Sequence, residues 1–178
     1  MVSKWMGAAQ PIDLEDPQQR FAAADPLGFL KMCRDHYLST VRDFRCEFYW
    51  REDFKAREAD EEQHIAVNYG ETPYSVDMRW LRNAGLATRV SYVAGRWGRK
   101  ERDLALIVPS GVLGLLAAGG VKCNIHGPEM RAASRRSIDR FGFRKTIELI
   151  IECCEMAEGG PQYELRFVGG GELDRRPC

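Results

Sequence analysis

The stretch Pro73–Leu81, PYSVDMRWL, decides how the rest of the chain is read. Tyr74, Val76, Met78 and Trp80 are large and apolar, and Ser75, Asp77 and Arg79 stand between them. A two-residue period belongs to a β-strand with one face turned to a core or ligand and the other to water. The same alternation appears on both sides of it. Upstream, Phe44, Cys46, Phe48 and Trp50 alternate with Arg45, Glu47, Tyr49 and Arg51, and Ile65, Val67 and Tyr69 alternate within EEQHIAVNYGE. Downstream, ATRVSYVAG places Val90, Tyr92 and Ala94 on one face, GRWG at 95–98 is a tight turn, and RDLALIVP and VKCNIHG supply two further strands. The links are short and carry Gly, Pro or Asn, with no room for a crossover helix. The strands therefore form an antiparallel meander of six or seven members, counting QYELRFVGG near the end of the chain.

Two helices flank this meander. In DPLGFLKMCRDHYLSTVRDF, Asp25 suits a cap and Pro26 a first turn. Phe29, Met32, Cys33, His36, Tyr37, Val41 and Phe44 recur at three- and four-residue steps, giving an amphipathic helix over 26–42 in which His36 is expected as a packed core residue. A second helix is expected near 141–157, with Phe143, Ile147, Ile150, Ile151 and Cys154 on one face and Gly159-Gly160-Pro161 as its stop. Its charges oppose its dipole: Arg140, Arg144 and Lys145 lie at the start and Glu152, Glu155 and Glu158 near the end. Packing has to hold it. SGVLGLLAAGG between the strands is a loop or short helix against the sheet. The expected fold class is α+β, a curved antiparallel β-sheet, or half-barrel, packed on two amphipathic helices. Residues 1–24 lack periodicity and are expected to be a disordered or loosely ordered tail. A single domain is expected over 25–178.

Composition limits the function. The chain has 178 residues, and its 26 basic and 26 acidic side chains cancel. No global field favours nucleic acid, so no nucleic-acid partner is expected. No apolar run reaches the length of a membrane helix, and no integral membrane segment is expected. The N-terminus MVSKWMGAAQP carries no signal-peptide apolar region, which taken literally leaves the chain in the cytoplasm. The six cysteines, Cys33, Cys46, Cys123, Cys153, Cys154 and Cys178, are irregularly spaced and include no CxxC pair. Cys123 with His126 is a lone half of a zinc motif, so neither a metal nor any other cofactor is expected. On a helix the adjacent Cys153 and Cys154 point in different directions, so one is expected buried and one accessible.

There is no G-x-S-x-G, H-E-x-x-H, Walker or Rossmann pattern, and the three histidines are scattered. Glu52, Asp53, Glu61 and Glu62 read as a solvated hairpin end. The basic segment Arg131–Lys145 reads as a solvated surface with local ion pairs. No catalytic constellation emerges, and the expectation is a non-enzyme.

DPLGFLKMCRDHY, TVRDFRCEFYWRE, PYSVDMRWL, RVSYVAGRW, SRRSIDRFGF and GELDRRPC, in that order, resemble the bacterial family called domain of unknown function 1571. That family is similar in fold to the Lol-type lipoprotein carriers and receptors of the cell envelope, whose half-barrels shelter acyl chains. The resemblance runs from Asp25 to the last residue. It implies a cell-envelope or periplasmic setting and a lipid or lipoprotein partner. The chain departs from the family in four places. Arg51-Glu52-Asp53 follows the first strand without a glycine turn. No export signal is present. Arg175 stands where a glycine commonly precedes the terminal Arg-Pro-Cys. The family's sheet continues beyond that motif. The last implies a domain incomplete at its C-terminal edge, with an open strand near Gln162–Val168 that favours edge-strand self-association.

The expected function is binding of a lipid, lipoprotein acyl chain or other hydrophobic ligand against an apolar wall of Phe48, Trp50, Tyr74, Val76, Met78, Trp80 and Tyr92. These are wide, adaptable side chains. The alternative is a structural or interaction module in which the same side chains form a solid core with no ligand.

Overall fold

A computed structural model of the chain describes residues 11–51, 62–98, 103–117, 119–134, 136–158, 160, 164–173 and 176–177. Backbone contacts divide it into two compact units. One is Thr40–Phe143, and the other joins Met1–Ser39 to Arg144–Cys178, where the sequence suggests one domain following a tail.

The Thr40–Phe143 unit is built on a six-stranded antiparallel sheet: β1 (Asp43–Trp50), β2 (Gln63–Glu71), β3 (Tyr74–Arg82), β4 (Ala87–Val93), β5 (Leu104–Pro109) and β6 (Val121–Asn124). Their spatial order is their chain order. The six strands expected between Phe44 and VKCNIHG are present, and the class is α+β. Register explains why the alternation was so regular. Phe44 opposes Tyr69, Tyr69 opposes Val76 and Val76 opposes Tyr92. In the next apolar row Cys46, Val67, Met78 and Val90 oppose one another in turn. Opposed residues share a face, so one apolar face runs unbroken across the strands. The register shifts at His64/Ile65 and at Ala87/Arg89, irregularities of the kind that bend a sheet.

The segment after β5 returns over this face. It contains α3 (Gly111–Leu116), α4 (Pro128–Ala133) and a 3-10 turn at Ile138–Arg140. Ile125 and Ile138 are buried in one cluster with Ile65, Val67, Tyr69, Val76, Val90, Tyr92 and Ala105, and Phe141 packs against it. Glycine is required at one point. Gly142 has φ +105°, and a Cβ there would stand 2.7 Å from the Tyr69 ring. Only a residue without a side chain lets the chain pass so close to the aromatic ring.

The second unit contains α1 (Pro17–Ala24), α2 (Pro26–Thr40), α5 (Phe143–Ala157) and the two-residue strands β7 (Glu172–Leu173) and β8 (Arg176–Pro177). α1 lies inside the stretch expected to be a loose tail. It is started by the Asp16 side chain, which accepts the Gln18 N–H at 2.8 Å, with Pro17 in the first turn. α2 has the expected start, but no residue of it is fully buried, and His36 and Met32 of its expected stripe are exposed. The core assignment of His36 is therefore corrected: its helix is covered only in part. In α5, Ile151 and Cys154 are buried while Phe143 and Ile150 stay exposed. Its unfavourable N-terminal charge is answered locally, because Arg144 and Lys145 both pair with Glu148, at 2.8 and 3.3 Å. Lys31 of α2 reaches Glu155 of α5 at 2.6 Å.

The strand expected at 162–168 is a second correction. Residues 164–171 take no strand structure, and 162–163 lie outside the described residues. The alternation there is real, with Leu165 and Phe167 half-buried between exposed Glu164, Arg166 and Val168. Phe167 rests against Phe29, ring centroids 6.5 Å apart. The segment has the side-chain period of a strand without a neighbouring ladder to pair with, which period alone does not reveal. The open strand edge expected at this place goes with it.

Candidate functional site

All seven residues expected to form the wall lie on the same face of the sheet. The register makes this unavoidable: Val76 and Tyr92 are opposed, Phe48 opposes Ile65, Ile65 opposes Trp80, and Trp50 opposes Gln63. The face is not uniform, however. It has a sealed end and an open end.

The sealed end holds Tyr74, Val76 and Tyr92. Val76 is 1 % exposed and Tyr92 3 %. The Tyr74 hydroxyl is shared between the carbonyls of Ile138 and Phe141, at 2.8 and 2.9 Å, and so ties β3 to the covering segment. Aromatic packing fills the remainder. Tyr69 stacks on Phe44 at 4.5 Å, and the Tyr74 ring meets Tyr69 and Tyr92 edge-on at 5.6 and 5.9 Å. Tyr69 donates its hydroxyl hydrogen to Glu71 at 2.9 Å, and Glu71 is itself buried. Burial pushes the Tyr74 hydroxyl well above the ordinary tyrosine range, helped by the nearby Asp139 carboxylate. Burial, then the charge of Asp103 and a hydrogen bond to it, pushes Tyr92 up to about 12. These phenols are neutral, packed and hydrogen-bonded, which suits a structural role. One carboxylate oxygen of Asp139 is buried without a hydrogen-bond partner among the described residues, while the other lies 3.7 Å from His126.

The open end holds Phe48, Trp50, Met78 and Trp80. Phe48 is 36 % exposed; Trp50, Met78 and Trp80 are half-buried, as Tyr74 is, and rest with their buried sides against the same core cluster. Phe48 is held edge-on to Phe141 at 5.5 Å. The Trp80 indole N–H donates to the Gln63 side-chain oxygen at 2.7 Å, and Gln63 also faces Trp50 across β1 and β2. One amide thus fixes the polar edge of the Trp80 indole and stands in register with Trp50. Aromatic surface of this kind, fixed at its polar atoms, offers an apolar ligand a wall that does not have to be ordered on binding.

The sequence reading placed these seven residues on one face, as the register does; it did not single out Gln63 or Glu71, and it noted Tyr69 only as part of the apolar alternation. A signal was present. Glu71 is in phase with Ile65, Val67 and Tyr69 in HIAVNYGE, which puts a carboxylate on the apolar side and so demands a buried donor. Gln63 is in the same phase.

Cys153 is exposed and Cys154 buried, as two neighbours on a helix require. Among the described residues no three His, Cys, Asp or Glu side chains gather as a metal would need, and Cys123 is only half-buried. Glu52, Asp53 and Glu61 lie outside the described residues. Among the described residues no helix is long and apolar enough to cross a membrane.

The model of a family described as "protein of unknown function (DUF1571)" matches residues 41–178, which spans the whole sheet. No curated protein and no solved structure matches the chain.

Proposed function

We propose, taking as premise that the chain belongs to the DUF1571 family of proteins of unknown function, that it is a non-enzymatic binding module for a hydrophobic ligand. The ligand is a lipid or a lipoprotein acyl chain, laid against the open end of the apolar face. One observation carries this reading. Four large side chains, Phe48, Trp50, Met78 and Trp80, lie together on an apolar face whose other end is buried, and they keep solvent-accessible surface. A sheet that needed only a core would gain by covering them, since each buried large side chain contributes about 1.5–3 kcal/mol. The resemblance to lipoprotein carriers supports an acyl chain as the ligand and the cell envelope as the setting.

A second reading, a scaffold with a solid core and no ligand, is favoured by Val76 and Tyr92. Both are fully packed and offer a ligand nothing. The two readings part at the open end alone. Purified full-length chain, extracted with organic solvent and analysed by mass spectrometry, should release a lipid in an amount comparable to the protein. The amount should fall sharply in Phe48→Asp. A clean extract, together with no uptake of an added fluorescent fatty acid, would favour the scaffold.

A further inference from the structure

The face of the sheet opposite the apolar one carries a shallow, open groove of about 500 Å³. Its floor is made of small or short side chains of β2, Ala66 and Asn68, and three arginines stand around it: Arg45 from β1, Arg79 from β3 and Arg89 from β4. Arg79 and Arg89 are directly opposed in the β3–β4 ladder. Two like charges facing each other across a ladder destabilise a sheet, so folding alone does not favour this arrangement.

Two carboxylates, Glu47 and Asp77, line the same groove, Glu47 directly opposite Ala66, but each is engaged by partners of its own. Asp77 accepts from the Arg89 Nε at 2.8 Å and from the Ser91 hydroxyl. Glu47 is held by the His64 ring at 2.7 Å and also accepts the Tyr49 hydroxyl at 3.3 Å. That leaves Arg45 and Arg79, both exposed, with no carboxylate partner among the described residues. They stand two strands apart and two residues out of line, because Arg45 shares its row with Asn68 and Asp77, and Arg79 shares its row with Ala66. Two strand spacings and two residue rises put their Cα atoms roughly 12 Å apart. Two arginine side chains leaning inward over Ala66 close that distance on a small anion. A guanidinium presents paired N–H donors, and a phosphate group has enough oxygens to take a pair from each side.

We propose that the outer face of the sheet is an anion-binding site in which Arg45 and Arg79 hold a phosphate group over the Ala66–Asn68 floor. Arg89 is fixed by Asp77 as a third, neighbouring positive charge. The phosphate belongs either to a small soluble ester or to a phospholipid headgroup, and both offer the same oxygens. The site is independent of the apolar face and stands whether or not that face takes a ligand.

The test uses the full chain and two probes. Glycerol 3-phosphate is titrated calorimetrically, and vesicles of phosphatidylglycerol mixed with phosphatidylcholine are compared with vesicles of phosphatidylcholine alone by co-sedimentation. Arg45→Gln and Arg79→Gln should each weaken binding about tenfold or more, since each removes a charge-assisted pair. Arg20→Gln on α1, an equal charge change outside the groove, should leave it within about twofold. Arg79→Gln also relieves the opposed charge on Arg89, so its melting temperature should be unchanged or higher while binding is lost. A residue needed only for folding would not behave so. Binding of the soluble ester identifies a free phosphate as the ligand type; binding of the anionic vesicles alone identifies a headgroup. The proposal is overturned if neither probe binds, if the two groove variants bind like wild type, or if Arg20→Gln weakens binding as much as they do.

Discussion

Tyr74 sits where β3 meets the segment that covers the sheet, and its single hydroxyl serves two backbone carbonyls, of Ile138 and Phe141. Removing it in Tyr74→Phe leaves both carbonyls short of a donor under the ring, at a cost of about 1–3 kcal/mol in urea unfolding. The same phenols predict an alkaline limit. Tyr92, whose ordinary value is 10.0, is raised to about 12, and Tyr74 is raised as well. Because the folded state favours their neutral form, the stability they contribute is complete below pH 10 and is lost as pH rises toward 12. Spectrophotometric titration should show the Tyr74 and Tyr92 phenols ionising late, together with unfolding. Gly142→Ala meets both a positive φ and the Tyr69 ring, and should destabilise by about 1–3 kcal/mol, read from the same urea curves. At this scale the sequence exposed the face of each side chain and not its depth. Phase follows from a two-residue period, so Val76 and Trp80 were assigned to one wall together. Depth depends on where Ile125, Ile138 and Phe141 come to rest, which no local pattern in PYSVDMRWL encodes.

Among the elements, β1 to β6 were legible because each alternates and no long amphipathic helix that could serve as a crossover stands between them. The segment 164–171 alternates as well, yet it forms no strand, since a strand needs a ladder partner as well as a pattern. α1 escaped notice for the opposite reason: PQQRFAAA has no apolar stripe, and its start rests on one capping side chain, Asp16. α5 gives a clean check on helical phase. Cys153 is exposed and Cys154 buried, while burial raises the thiols of Cys33, Cys46 and Cys123, the last aided by Glu129. Among these five, Cys153 should react first with a thiol reagent in the native protein, and Cys154 only on unfolding. Mass mapping of the labelled peptides checks the order. Equal labelling of the two neighbours would mean that α5 is not packed as described.

For the molecule as a whole, the central claim is that the sheet's apolar face is finished at one end and left available at the other. The evidence for it is the difference between Val76 and Tyr92, which are sealed, and Phe48, Trp50, Met78 and Trp80, which are not. The sequence singled out these residues as a group and left core and cavity as alternatives; in the structure they differ in depth, Val76 and Tyr92 being fully buried and the other five of the seven keeping some exposure. Of the four tryptophans, Trp50 and Trp80 stand at the open end. The most direct measurement is therefore fluorescence quenching by a brominated fatty acid in a Trp5→Phe, Trp97→Phe double variant, where only those two indoles emit. Saturable quenching at low fatty-acid concentration, lost in Phe48→Asp while the melting temperature holds, is the predicted result. Emission unchanged by the brominated chain at every concentration would contradict the claim and leave the face as a core.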